Sequence, residues 1–516
     1  MDKGLKRTGI TYLGPPGTGK TQRNSDLVHK CIEDGIAPDK IANVSFTKRA
    51  TQESQDRVCL DWGLEADVLP YFQTLHSMAF RTGGYSRNEV ISGDDLKDLG
   101  DHLGIKFSPP KKNFETDIDR YGFRTEGDKY LNLYSYARSV CKDYEEVFRV
   151  NGNHNMQWPV FKRLVSTYQE YKRFHRKIDF TDMIEEFIAM DMCPDIDALL
   201  CDEAQDLSTL QWKMISVLRR KPSIQFFFGD DDQAIMDFAG ADVAAFQQCT
   251  EKKEVLTQSY RVPQAVHEVA ESIAKRIEGR LPKVWNPRPY QGFVFEHLDL
   301  ESIPLHEGEW LFLTRTNYLA DRYGKLLSAA GWVYKDRHGN PSIAANVFDA
   351  IVHWEDWIRG AKLLPSQIKK IYLYLTKDVG YRDGFSPRSK NFLGMDATVA
   401  LSIDEARASL GLLAPKEIWK KTLTQIDSKT KQYILSARRR GDTVKNPRIT
   451  VSTVHSMKGA ERDNVVLVPE LNWSSYDAYR SNPNPEHRVW YVACTRAKES
   501  LHILNPSYSK AYTYPV

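Results

Sequence analysis

One octapeptide restricts this chain more than any other feature. Gly14-Pro15-Pro16-Gly17-Thr18-Gly19-Lys20-Thr21 follows an apolar run, Ile10 to Leu13, and precedes a helical pattern. In that setting the backbone N–H groups of a glycine-rich loop and of the following helix cradle phosphate oxygens, a lysine neutralises β/γ-phosphate charge, and a threonine hydroxyl ligates magnesium. Gly14, Gly17, Thr18, Gly19, Lys20 and Thr21 are therefore candidate nucleotide-binding residues. Such a loop belongs at the carboxyl end of a strand in a parallel α/β sheet.

Further short apolar runs support that class. Ile41 to Ser45, Val68 to Tyr71, Ala198 to Cys201 and Ile224 to Phe228 read as strands of a first sheet, and Trp310 to Leu313, Thr450 to Thr453, Val465 to Val468 and Leu501 to Leu504 as strands of a second. Two such sheets imply two α/β lobes, each interrupted by a mainly helical stretch. In the first of these stretches, Lys111, Lys112, Arg120, Tyr121, Arg124, Tyr130 and Arg138 could line a nucleic-acid surface or a solvated helical face.

Composition narrows the setting. With 71 basic and 68 acidic residues the net charge is +3, so bulk charge does not point to nucleic acid and any such binding needs a local basic surface. A local basic excess runs from Lys431 onward, with 13 basic against 7 acidic residues. No 18-residue apolar run is present to span a bilayer, and the opening MDKGLKRTG lacks the apolar core of a secretory signal. The 7 cysteines form no C-x-x-C pair, which argues against a disulfide framework or a zinc site. A cytoplasmic protein without a membrane partner is expected.

Two acidic segments end strands. Asp202 and Glu203 close the Ala198 run, where an aspartate can hold magnesium and a glutamate can orient or deprotonate the attacking water. Alone, the pair could equally favour a helix dipole. Asp230, Asp231 and Asp232 follow Gly229, and three successive carboxylates need solvent, a cation or a basic partner to balance them.

The residues after that triplet make a family resemblance specific. Asp230-Asp231-Asp232-Gln233-Ala234-Ile235-Met236-Asp237-Phe238-Ala239-Gly240-Ala241 resembles the D-D-D-Q-S-I-Y-x-W-R-G-A motif of UvrD/Rep/PcrA-type superfamily 1 DNA helicases. In the same order, Val44 to Ala50 resembles T-F-T-N-K-A, Gln73 to Ser77 resembles T-F-H-S, and Ile178 to Ile184 resembles L-D-F-x-D-L-L. Leu256 to Arg261 is similar to L-x-x-N-Y-R with Ser259 for asparagine, and Leu313 to Asn317 to the Y-R-S-N segment. Thr453 to Glu461 fits T-x-H-x-x-K-G-x-E, and Val489 to Ala497 fits L-x-Y-V-A-x-T-R-A.

The resemblance implies two RecA-like P-loop lobes using ATP and Mg2+. The expected division is 1–85 and 177–256 for the first lobe around a helical insertion at 86–176, and 257–341 and 446–516 for the second around a reduced insertion at 342–445. By the family pattern Gln233 contacts the γ-phosphate or lytic water, Arg261 and Arg496 stabilise the transferring phosphoryl group, Tyr260 stacks on adenine and Glu461 reaches the ribose. Thr21 and Asp202 would hold the metal, and Glu203 would serve the water. Phe46, Thr47, His76, Phe238, His455 and Lys458 would contact DNA. Departures are equally specific. Met236 and Ala239 stand where the family has tyrosine and arginine, and no glutamine precedes Gly14, so loose base selectivity is expected unless Gln22 substitutes.

The implied activity is that of an ATP-dependent helicase moving 3′ to 5′ on single-stranded DNA, with single/double-strand junctions as substrates and replication or repair proteins as candidate partners. A translocase that remodels nucleoprotein without unwinding stays open. A GTPase-type switch would not need the second sheet and lacks an N-K-x-D signature, and intact Lys20, Asp202, Glu203, Gln233, Arg261 and Arg496 oppose a decayed scaffold.

Overall fold

Strands whose residues are apolar at consecutive positions are covered on both faces, the condition of an all-parallel sheet. The computed structural model, which describes residues 8–108, 125–152, 155–394, 396–442, 444 and 446–514, contains two such sheets. The first has strands β1 (Thr8–Leu13), β2 (Ile41–Ser45), β3 (Phe72–Thr74), β4 (Ala198–Asp202), β5 (Ile224–Gly229) and β6 (Lys252–Val255) in the order β3-β2-β4-β5-β1-β6. Alternate residues of β4 feed opposite cores: Leu199 and Cys201 pack with Leu13, Val44 and Phe227, and Ala198 and Leu200 with Tyr12, Ile41 and Phe228. All pairings are parallel, and the register Leu13↔Gly229 sets the glycine loop beside the acidic triplet.

The second sheet has β7 (Phe293–His297), β8 (Trp310–Thr314), β9 (Tyr334–Lys335), β10 (Ile449–Thr453), β11 (Arg462–Val468) and β12 (Ala497–Leu504) in the order β7-β12-β11-β8-β10-β9, again all parallel. The expected α/β class with two parallel-sheet lobes is thus the observed one.

The strand expected at Val68 to Tyr71 is displaced. Ala66–Val68 forms a 3-10 turn and β3 begins at Phe72. Pro70 has no N–H to give a ladder and restricts the residue before it, so pairing starts only beyond it.

The chain divides into two compact units. One comprises Met1–Gln291 with Ala478–Thr495, the other Gly292–Asp477 with Arg496–Tyr514. Segment 257–291, with Tyr260 and Arg261, lies in the first unit, whereas the expected lobe boundary falls at 257.

Both interrupting stretches are helical. The first contains helices Gly93–Leu103, Glu126–Ser139, Tyr144–Asn151 and Trp158–His175 around Tyr130, Phe161, Leu164 and Tyr168. Tyr130 is therefore a core residue and not a surface contact. Arg138, only 11% exposed, is likewise committed inward, to Asp179 (2.9 Å), Asp182 and Glu185 (both 2.6 Å), while buried Lys172 reaches Asp179 at 2.6 Å. This network pins the insertion to helix Phe180–Ala189. Lys111, Lys112, Arg120, Tyr121 and Arg124 lie outside the described residues. The second stretch, with helices including Ala345–Ile358, Pro365–Tyr372 and Ser428–Arg440, closes over Trp354, Trp357, Ile368 and Tyr372. No helix among the described residues is long and apolar enough to cross a membrane.

Candidate nucleotide-hydrolysis site

The glycine loop leaves β1 and enters helix Lys20–Glu33. Gly17 and Gly19 take left-handed conformations, with φ of 73° and 81°, which a side chain resists. A Cβ on Gly17 would also lie 2.4 Å from Arg261 Cβ and 2.9 Å from Ser259 Oγ. The loop is closed on itself by Thr18 Oγ1 donating to Pro15 O (2.8 Å) and by Lys20 Nζ donating to Gly14 O (2.8 Å), and it is tied to β5 by Gly14 N–H donating to Gly229 O (2.9 Å). A bare-backbone cradle with an ammonium at its mouth fits a phosphate chain.

The neighbouring strand ends bring acids to the loop. Glu203, directly after β4, has φ 49° and ψ 38°, a rare conformation for a non-glycine residue that occurs mainly where a site imposes it. Its N–H donates to Asp202 Oδ1 (2.9 Å), and its carboxylate accepts from Gln205 Nε2 (2.5 Å). Burial, reinforced by Glu203 and opposed by Lys20, pushes the Asp202 carboxyl up to about 7. A divalent cation would stabilise the ionised form, and Thr21 and Asp202 offer oxygen donors of the kind magnesium takes.

The balance demanded by Asp230, Asp231 and Asp232 comes from a basic partner, not solvent. All three side chains are buried, and Lys283 and Arg280 neutralise them. Burial alone would raise Asp230, but Lys283 and Lys20 outweigh it and hold the carboxyl below the usual carboxylate range. Gln233 donates through Nε2 to Asp230 Oδ2 (2.8 Å). Neither Lys283 nor Arg280 was legible from sequence, because lone cations some fifty residues away carry no spacing signal. Gln205, inside the acidic segment itself, could have been found.

Segment 259–261 is hooked onto the glycine loop. Ser259 Oγ donates to Pro16 O (2.8 Å) and accepts from Val262 N–H (3.1 Å), while Tyr260 N–H donates to Gly17 O (2.9 Å). Ser259, which stands in place of the motif's asparagine, thus fixes both the turn and its docking on the loop. Tyr260 is 73% exposed with its ring beside Gly19, a placement open to a flat base. Gln22 is exposed on helix Lys20–Glu33, donating to Asp26 Oδ1 (2.8 Å) and accepting from Arg57 (2.7 Å), as a solvated helix residue does. The first unit therefore gathers Gly14 to Thr21, Asp202, Glu203, Gln233, Tyr260 and Arg261, whereas Glu461 and Arg496 belong to the second.

The expected DNA contacts divide. Phe46 is buried in the core with Leu13, Val44 and Leu75, so packing at the end of β2 claims its ring and a strand-facing role is not its placement. Thr47 caps helix Lys48–Trp62 by accepting from Ala50 N–H (3.3 Å). His76 meets Phe180 edge-on at 5.7 Å, and burial with Lys48 nearby depresses its imidazole to about 4. Phe238 is 44% exposed and is not a core ring. In the second unit His455 begins a short 3-10 turn after β10, and Lys458 closes it with its N–H on His455 O (3.4 Å).

A parallel sheet with this loop after β1 and acids after β4 and β5 defines a P-loop nucleoside triphosphatase fold, here with a second parallel sheet. The family model for the UvrD/REP helicase N-terminal domain matches residues 6–254, and that for the UvrD-like helicase C-terminal domain matches 416–508. The chain belongs to the UvrD/PcrA-type superfamily 1 helicase family. It is 26% identical over 291 residues to the ATP-dependent DNA helicase PcrA of Bacillus subtilis (strain 168), covering 53% of this chain and 38% of that protein. It is 25% identical over 360 residues to the "Probable DNA helicase II homolog" of Mycoplasma pneumoniae, covering 64% and 48%. A third relative, the PcrA of Staphylococcus epidermidis strain RP62A, is 24% identical over 297 residues, covering 53% and 39%. The matched region spans less than half the length of each of these relatives.

Proposed function

We propose that this chain is an ATP-dependent DNA motor that moves 3′ to 5′ on single-stranded DNA and unwinds duplexes at single/double-strand junctions. The observation that carries the reading is the seating of Ser259 and Tyr260 on Pro16 and Gly17, which sets a stacking ring and Arg261 at the rim of the phosphate cradle. Lys20 would hold the β/γ-phosphates, and Thr21 and Asp202 the magnesium, which supplies charge neutralisation on the phosphate oxygens when bound. Glu203 is the group to accept a proton from water as the water oxygen bonds to the γ-phosphorus and the bond to the bridging oxygen breaks, releasing ADP and phosphate. Gln233 orients that water, and Arg261 and Arg496 stabilise the charge that develops on the transferring group. Glu461 contributes to nucleotide binding. His455, Lys458, Thr47 and Phe238 serve the strand, through phosphate contacts and stacking. A reducing cytosol is the compartment that suits the chain's free cysteines, and replication or repair proteins are the partner class.

The test is ATP hydrolysis with and without single-stranded DNA, followed by strand displacement from duplexes with a 3′ or a 5′ tail. Hydrolysis stimulated by DNA with preferential displacement from 3′ tails is expected. Stimulation without displacement would favour the translocase reading, and preference for 5′ tails would reverse the polarity.

A further inference from the structure

Three consecutive carboxylates withdrawn from water at the end of β5 are costly unless they do something that a smaller charge could not. Their arrangement is specific. Lys283 Nζ, itself fully buried, lies 2.8 Å from Asp230 Oδ1 and 2.9 Å from Asp232 Oδ2 and also contacts Asp231 Oδ1. The carboxylate oxygens are close enough together to resemble a cation site, but the ammonium fills it. An ammonium carries three N–H donors, so each is matched to one carboxylate and all three acids are fixed by one group.

Asp230 is shared between that tripod and the candidate site. Its Oδ1 meets Lys283, and its Oδ2 accepts from Gln233 Nε2 at 2.8 Å. Its N–H donates to Gln205 Oε1 (3.1 Å), and Gln205 in turn holds Glu203. The cluster also reaches a distant part of the chain. The backbone carbonyl of Asp231 accepts from Arg488 Nε (2.9 Å), on helix Asn484–Cys494, which ends two positions before Arg496. On the same helix the buried Tyr491 hydroxyl, which feels the charges of Asp230 and Asp232, has no hydrogen-bond partner among the described residues.

We propose that Lys283 is a positioning residue for nucleotide hydrolysis: through Asp230 it fixes the amide of Gln233, and through the same buried cluster it anchors the helix Asn484–Cys494 that leads into Arg496. This rests on the reading that Gln233 serves the reacting phosphate. A purely structural ion cluster would stabilise the first unit and leave turnover alone. The positioning role instead ties the order of Gln233 to the order of that helix, so loosening one loosens the other.

Lys283→Met alone strands buried carboxylate charge, so the informative variant is Lys283→Met/Asp232→Asn, which restores the charge count and keeps Asp230. It is compared in the full chain with wild type, whose cluster charge it matches. Expected are a melting temperature within a few degrees of wild type, KM for ATP within about threefold, and kcat for DNA-stimulated hydrolysis lower by at least about tenfold. Amide hydrogen exchange without nucleotide should quicken at 230–234 and 484–494 together and not elsewhere. Unchanged kcat, or exchange that quickens uniformly with a fall in melting temperature, overturns the proposal. Wild-type chain that hydrolyses nothing, with the paired exchange response present, would sink the motor reading and leave the Lys283 link standing. With the response absent, both fall.

Discussion

Ser259 Oγ donates to the carbonyl oxygen of Pro16 at 2.8 Å, joining two residues 243 positions apart and closing the segment that carries Tyr260 and Arg261 onto the phosphate loop. The same oxygen accepts from the N–H groups of Arg261 (3.3 Å) and Val262 (3.1 Å), so one buried hydroxyl sets the turn and its docking together.

Replacing it should therefore affect stability and nucleotide use at once. Ser259→Ala leaves buried donors and an acceptor unsatisfied, a cost of about 1–3 kcal/mol, and should raise KM for ATP at least about fivefold. Ser259→Asn, which brings in the family's usual residue, should stay within about threefold of wild type in kcat/KM. Equal behaviour of the alanine and wild-type chains in calorimetry and hydrolysis would show that the hook holds nothing.

Glu203 is held in a left-handed conformation with its carboxylate bound by Gln205, an arrangement that fixes where the acid points. Glu203→Gln keeps size and hydrogen bonding but cannot take a proton. ATP binding, read by a fluorescent analogue, should persist within about threefold, while DNA-stimulated kcat falls by at least about a hundredfold, or ~2.7 kcal/mol of transition-state stabilisation. A drop of less than tenfold would remove Glu203 from its role.

Asp202 gives a pH signature. Its folded-state pKa, raised by burial to about 7, exceeds the unfolded carboxylate value, so the folded chain binds more protons across that interval. Without magnesium, stability is fullest below about pH 4 with respect to this group and declines as pH climbs to about 7, by an amount of up to ~4 kcal/mol. Asp202→Asn should abolish that decline, melting higher than wild type at pH 8 in a chelator while hydrolysis is lost. Magnesium should then raise the melting temperature of wild type and not of the variant. Parallel melting curves for the two chains from pH 5 to 8 would refute the assignment.

What the sequence made legible follows from burial. Strands covered on both faces, such as β4 and β8, announce themselves as apolar runs, whereas β2 and β10, equally buried, are interrupted by Asn43 and by Thr450 and Ser452. The edge strands β6 and β7 do not announce themselves: none of their residues is buried and they carry Lys, Glu and His, so no run marks them. The site divides the same way. Its glycine loop and acids are contiguous in sequence and readable, because backbone geometry and strand ends dictate those residue types locally. Lys283, Arg280 and Arg488 act through tertiary contacts with a triplet far away, and only the triplet's unbalanced charge hinted that such partners exist. Phe46 misled for the converse reason, since a motif position says nothing of which face packing will claim.

Gln22 tests whether local placement suffices for base recognition. Its amide is engaged with Asp26 and Arg57 on the surface. Gln22→Ala should leave the ratio of kcat/KM for ATP and GTP within about twofold of wild type. A tenfold change in that ratio would show that Gln22 abandons these contacts to read the base.

Phe238 offers an exposed ring in the segment that follows the acidic triplet. The residues around it differ from the family pattern, with Met236 and Ala239 in place of a tyrosine and an arginine, so a single ring remains to stack on a base. Its 44% exposure separates two outcomes that sequence left open. A buried phenylalanine cut to alanine would destabilise the fold by about 3–5 kcal/mol. A surface platform loses little stability, and each base it stacks contributes about 1–3 kcal/mol to binding. Phe238→Ala should therefore weaken affinity for single-stranded DNA by about five- to a hundredfold, with a melting temperature within a few degrees of wild type, while Phe238→Trp should retain or tighten binding. Because stacking is neutral, the loss should persist at high salt, where phosphate contacts fade. Unchanged affinity at both low and high salt would mean that the ring contacts no base.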